Sequence, residues 1–122
     1  MGLKLAKYVT EGLNVTATSA GASGNVIYTC PPRFDAIINF LHITSHTNNN
    51  QGITIEWYHA ENTAYRKLLN LLTMASNSSH EVGGTGAHIA LHPGDQIVCS
   101  TNSNGNFDVV ISVEELPRTQ TG

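Results

Sequence analysis

Charge is what this chain has least of. Only 12% of its 122 residues are Asp, Glu, Lys or Arg, against about 25% in ordinary soluble domains. Six Lys plus Arg stand against nine acids, a net charge of −3, so there is no basic field for nucleic acid. Abundant Glu, Lys and Leu, the mark of a coiled coil, is missing too. No run approaches 18 apolar residues, so nothing reads as a membrane-spanning helix. The opening Met1-Gly2-Leu3-Lys4-Leu5-Ala6-Lys7 lacks the apolar core of a signal peptide, and Ala6 breaks a myristoylation motif. These readings place synthesis in a cytoplasm. Two sequons, at Asn14 and Asn77, have meaning only in a secreted eukaryotic protein.

Cysteine is scarce as well. Cys30 and Cys99 lie in strand-like runs and read as small buried apolar residues rather than as a redox pair.

What fills the space is uncharged and polar: 12 Asn, 9 Ser and 13 Thr, with 11 Gly. Hydrophobic residues still reach 40%, enough for a core in one domain of this length.

The dominant pattern is period two. Phe107, Val109, Ile111 and Val113 alternate with mostly polar residues, as do Ile53, Ile55 and Trp57. Shorter strands are expected over 13–18, 25–30, 88–91 and 95–100. Residues 34–45 are apolar on both faces, with Ala36, Ile38 and Phe40 on one and Ile37, Leu41 and Ile43 on the other. This predicts a central strand covered on both sides.

Turn signals separate the runs: Gly21 to Gly24, Pro31-Pro32, Asn48 to Gly52, Gly83 to Gly86, Pro93-Gly94 and Asn104-Gly105. Asn104-Gly105 predicts a type I′ hairpin, and Pro93-Gly94 a type II turn capped by Asp95. Residues 64–75 read both ways: Tyr65, Leu68, Leu69, Leu72 and Ala75 form a helical stripe, while Leu69, Leu71 and Thr73 alternate as a strand. The expected fold is all-β, a single antiparallel sandwich of jelly-roll type with room for one short helix at 64–75. Residues 1–12 read as an N-terminal arm or edge strand, 13–116 as the sandwich, and 117–122 as a tail.

No catalytic constellation emerges. His42 and His46, like His88 and His92, are four apart, but on strands that spacing separates imidazoles by about 13 Å. The sequence has no Gly-x-Ser-x-Gly and no Ser-x-x-Lys, and Gly83-Gly84-Thr85-Gly86 lacks the Lys of a phosphate loop. The acids are too dispersed for a glycosidase pair. Catalytic, cofactor and metal residues are therefore expected to be none. Trp57 is in phase with the core, whereas Tyr58 faces the other way as a candidate contact.

Taken in order, several segments resemble small β-sandwich virion proteins of tailed bacteriophages. They are Tyr28-Thr29-Cys30-Pro31, Thr54-Ile55-Glu56-Trp57, Gly94-Asp95 before a strand, and a last strand ending Glu114-Glu115-Leu116. The likeness spans residues 25–116. The departure is Leu68-Leu69-Asn70-Leu71-Leu72, more apolar than that pattern. The resemblance implies a structural role without catalysis: a capsid decoration or cement protein, or a neck, tail or fibre-adaptor component. Its partners would be the major capsid protein or neck and tail proteins, in a homo-oligomer with a trimer favoured. Neither nucleic acid nor membrane is expected as a partner, and the location would be the virion. Expected contact residues are Leu3, Leu5, Tyr8, Asn49, Tyr58 and Arg118. A different class, a carbohydrate-binding module, would use Tyr58, His59 and the loop 48–51. The shortage of charge fits a protein that associates through its sheets, because charged side chains normally guard sheet edges.

Overall fold

In a computed structural model, which describes residues 6–82, 89–103 and 105–118, nine strands follow one another along the chain. They are β1 (Lys7–Asn14), β2 (Asn25–Thr29), β3 (Phe34–Ser45), β4 (Gly52–His59), β5 (Ala64–Thr73), β6 (Ser79–Glu81), β7 (Ile89–Leu91), β8 (Gln96–Thr101) and β9 (Phe107–Pro117). The helical turns among the described residues are two short 3-10 segments, Gly21–Ser23 and Ala60–Asn62. One sheet has the order β1-β9-β3-β6, with β7 pairing the other end of β3; the second has the order β2-β8-β4-β5. All pairings are antiparallel.

If β6 and β7 count as one interrupted strand, the pairings nest. First meets last, second meets second-last, β3 meets β6 and β7, and β4 meets β5. That is a long hairpin rolled into two four-strand layers, the jelly roll. The core fills the space between them. The first sheet sends in Ala36, Ile38, Leu41, Ile43, Leu91, Phe107, Val109, Ile111 and Val113; the second sends in Ile53, Ile55, Ile97 and Cys99.

One difference from the sequence expectation, at β3, and the outcome at 64–75, which read both ways, share a cause. β3 is central but not covered on both sides. A bulge falls between Ile38 and Phe40, which inserts one residue and reverses the side-chain phase. Ala36, Ile38, Leu41 and Ile43 therefore all point inward, and Ile37 and Phe40 are left on the outer face. Likewise, residues 64–73 are strand β5 and not helix. Its pairing with β4 slips at two places between Ile53 and Glu56. The slips let adjacent Leu68 and Leu69, and then Leu72, reach the core. That spacing imitates a helical stripe. Leu71 is left exposed at positive φ, its N–H held by the Thr54 hydroxyl at 3.1 Å.

Two more corrections concern the ends of strands. No separate strand covers 13–18; the edge strand read within 1–12 runs on to Asn14 as Lys7–Asn14. Asn104-Gly105 closes no hairpin, because β8 and β9 lie in different sheets. Asn104 itself, like Gly83 to His88, is outside the described residues. Gly105 has a packing reason instead: a β-carbon there would collide with the Thr101 hydroxyl and the Phe107 ring. The Pro93-Gly94 turn is as expected, with Gly94 at φ 86° and the Asp95 N–H donating to the His92 carbonyl at 2.9 Å.

Candidate functional site

The few charges are concentrated where strands would otherwise be open. Edge strand β1 carries Lys7 and Glu11 at positions in register with the inward-facing Glu115 and Ile111. Edge strand β5 carries Arg66 and Lys67 beside its bulges. Edge strand β2 is bulged between Val26 and Tyr28, and β6 and β7 are three residues each. Inward charges, bulges and short strands are the ordinary devices against edge pairing. The chain is thus better guarded at its edges than its composition implies. Association through open edges, the expectation from low charge, does not fit.

The faces differ from one another. The outer side of the second sheet is closed by the chain's own segment 15–24. The Ala17 carbonyl accepts from the Thr101 N–H at 2.9 Å, and Glu56 accepts from the Gly21 N–H at 2.7 Å. Thr54, Glu56, Val98 and Ser100 are buried there despite facing away from the core.

The outer side of the first sheet has no such cover among the described residues. Its register sets Tyr8, Glu114 and Ile37 in one row and Thr10, Ser112 and Phe40 in the next. Gly12, Val110 and His42 follow, then Asn14, Asp108 and Thr44. Tyr8 is 73% exposed and Phe40 39%. The Phe40 and His42 rings are stacked, with centroids 5.5 Å apart. Around this apolar and hydroxyl-bearing surface stand three His–carboxylate pairs. His46 meets Asp108 at 2.7 Å, His92 meets Asp35 at 3.2 Å, and His42 meets Glu81 at 3.7 Å. Arg118 also reaches Asp35, at 2.9 Å. Burial works to raise the Asp35 carboxyl, but bonds from His92 and Arg118 outweigh it and hold it below the usual range. Asp108 is lowered by Asn14 first, against desolvation, and then by His46.

The expected contact residues divide. Tyr8 lies on this face and Arg118 at its end. Leu3 and Leu5 are outside the described residues. Tyr58 is half-buried on the second sheet against Tyr65, with centroids 4.7 Å apart. Asn49 is 3% exposed and is spent on the loop: its amide donates to Ser45 Oγ at 2.8 Å and to the Asn106 carbonyl at 3.0 Å. It is a loop anchor and not a contact. The carbohydrate reading fails on distance, since Gly52 and His59 bound β4 and seven steps along a strand span about 23 Å. Trp57 packs against the core and donates Nε1–H to Asp95 at 3.1 Å.

Ile37, Phe40 and Val110 were not singled out as surface residues by the sequence. Glu115 was also missed. It is 3% exposed, accepts from the Tyr28 hydroxyl at 2.5 Å and lies 3.4 Å from Lys7 Nζ. Lys7, Tyr28 and Glu115 line a cleft of about 330 Å³ between β1 and β2. Burial first, then the Glu115 bond, pushes the Tyr28 hydroxyl well above the usual tyrosine range. This ties the two sheets together at their open side. Burial likewise raises the thiols of Cys30 to about 11 and Cys99 to about 12, and both are free and buried. Among the described residues no three His, Cys, Asp or Glu side chains are grouped to hold a metal, and no helix is long and apolar enough to cross a membrane.

Fold and surface together define a jelly roll with one sheet face sealed by its own loop and the other presented to solvent. No family model matches the chain. No curated protein matches it either. Among solved structures it is similar to a protein of the Bacillus endospore appendages, a family of disulfide-linked pili. The TM-score is 0.50 at 15% identity, over 97% of this chain and 93% of that one. It is also similar to a chain of the cyanophage Pam1 capsid asymmetric unit, with a TM-score of 0.48 at 16% identity, over 92% and 84%. The first likeness is one of fold alone; the second is looser still.

Proposed function

We propose that this chain is a non-enzymatic structural protein that joins an assembly through the outer face of its first sheet. Its place is a phage head, as a decoration protein bound between capsid subunits and made in the host cytoplasm. The observation that carries this reading is the asymmetry of the two faces. One is closed by segment 15–24, and the other offers Tyr8, Ile37, Phe40 and Val110 within a frame of carboxylates. The phage setting draws on the segments over 25–116 that resemble virion proteins. Many copies, each held by a modest area, bind through avidity rather than through one tight contact.

A pilus-like role would need a different linkage from the disulfides named for the spore appendages, because Cys30 and Cys99 are buried and their thiols raised. A neck or tail adaptor would use the same face and differ in copy number.

The test adds purified protein to heads that lack it and counts bound copies by cryo-electron microscopy. Head-wide occupancy is expected, falling about tenfold or more for Phe40→Glu, since a charge in the centre of a desolvated patch costs more than 1.4 kcal/mol. Equal occupancy of a folded Phe40→Glu variant overturns the face assignment. A few copies at one vertex mark an adaptor.

A further inference from the structure

We propose that the cleft between the edges of β1 and β2 receives one arginine side chain of a partner protein, whose guanidinium bonds Glu115 in place of Lys7. This contact lies at the margin of the sandwich and does not depend on the outer face of the first sheet.

The cleft follows from strand phase. The inward positions of β1 are Lys7, Val9 and Glu11, in register with Glu115, Val113 and Ile111 of β9. β1 ends the order of one sheet and β2 that of the other, and the cleft of about 330 Å³ runs between these two margins. The bulge between Val26 and Tyr28 lets adjacent Ile27 and Tyr28 both be buried, and it leaves Val26 exposed on the rim. Ligand clefts are typically about 300–1,000 Å³, so one side chain is a fitting occupant.

Glu115 marks the cleft as a site. Its side chain is only 4% exposed. Oε2 accepts from the Tyr28 hydroxyl, but Oε1, buried as well, accepts no hydrogen bond from the described residues. A buried carboxylate oxygen without a donor is rare and unfavourable. Lys7 Nζ stands 3.4 Å away without making that bond, on a side chain that is 62% exposed. Lys7 is thus a loose cover over Oε1. Its Nζ also lies 5.6 Å from the centroid of the Phe34 ring, a face that can hold the ammonium once it turns away from Glu115.

The lining selects the ligand. It carries two carboxylates, Glu11 and Glu115, against the one ammonium of Lys7. Tyr28 adds no charge, because burial and then the Glu115 bond hold its hydroxyl far above the usual range. With Lys7 turned out, two negative charges face one incoming cation. Glu11 stands four residues along β1 from Lys7, about 13 Å, so negative potential runs the length of the cleft. Val9, Val26, Ile27 and Pro31 make apolar walls, which suit an aliphatic stem with its charge at the tip. Arginine fits better than lysine. Its guanidinium is more weakly hydrated, and its planar fork can give one N–H to Oε1 while others stay in water.

NMR titration of the ¹⁵N-labelled full chain with N-acetyl-arginine methylamide tests this. Saturable shifts of the Tyr28, Thr29 and Glu115 amides are expected, and none with the neutral citrulline analogue. Affinity should fall about tenfold or more in Glu115→Gln, which loses a hydrogen bond to a charged group. It should rise about two- to fivefold in Lys7→Met, which removes the competing ion pair. Lys7 is exposed, so the second variant decides the matter should Glu115→Gln fail to fold. Absence of saturable shifts at the cleft overturns the proposal. So does equal binding of the citrulline analogue, unchanged affinity in a folded Glu115→Gln variant, or affinity that does not rise in Lys7→Met. Guanidinium ion binding as tightly as the capped arginine overturns the assignment to a side chain, because the apolar walls would then contribute nothing. None of these measurements involves Phe40 or head binding, so this inference and the assembly role fail independently.

Discussion

Replacing Asp95 by Ala removes the acceptor that three elements share. Asp95 is 1% exposed. Its Oδ1 accepts from the Ala60 N–H at 3.0 Å, and its Oδ2 from Trp57 Nε1–H and the His92 N–H, both at 3.1 Å. The backbone bonds of Asp95 survive the change: its carbonyl still accepts from Cys30 at 2.8 Å. Three donors are then left with no acceptor. A hydrogen bond to a charged group contributes about 1.5–3 kcal/mol. Against that loss, no carboxylate has to be desolvated. Water can also enter from the adjoining cleft of about 290 Å³. The balance is a loss of about 3 kcal/mol, or a fall in melting temperature of about 12 °C at about 4 °C per kcal/mol for this size. Asp95→Asn keeps the shape and one carbonyl oxygen, and costs about half as much. Urea unfolding followed by the fluorescence of the single tryptophan, Trp57, reports the site itself. A loss below about 1 kcal/mol for Asp95→Ala would refute its role as the shared anchor.

Four further outcomes follow from the same geometry. Gly105→Ala drives a methyl group into Thr101 and Phe107, and overpacking of this kind costs about 1–3 kcal/mol by urea titration. Gly21→Ala meets open space and pays only for its positive φ of 71°, so it costs less. Asp35 and Asp108 have folded pKa values below their unfolded ones. Their contribution is therefore complete above the ordinary carboxyl value of about 4 and is lost as pH falls through the folded values. Unfolding free energy against pH should flatten above about 5 and fall below about 4, with a shallower fall in Asp108→Asn. Cys30 and Cys99, buried with raised thiols, should react with a thiol reagent at the rate of unfolding, and a fast phase in the native protein would contradict their burial.

The strands that were legible are those where the two-residue period runs unbroken. Phe107, Val109, Ile111 and Val113 kept one phase over the whole of β9, so the pattern alone placed them in the core. β3 was misread, and β5 left open between strand and helix, because a bulge adds a residue and turns the pattern over. After that shift, Phe40 becomes a surface residue and Leu68 and Leu69 both reach the core. The candidate face was hidden for the same reason: Ile37 and Phe40 look like core in the sequence. The histidines were visible as residues, but their carboxylate partners were not, since His46 and Asp108 are 62 positions apart.

Composition and period two by themselves determined that this chain is an all-β sandwich with little charge, because alternation is a local property of a half-buried strand. Where the charge went was decided only by the tertiary structure. Lys7, Glu11, Arg66 and Lys67 become edge guards once β1 and β5 are found at the sheet margins. Asp35, Glu81 and Asp108 become a paired frame once β3, β6 and β9 lie side by side. An edge, a face and a cover are relations between strands distant in sequence, and no local pattern encodes them.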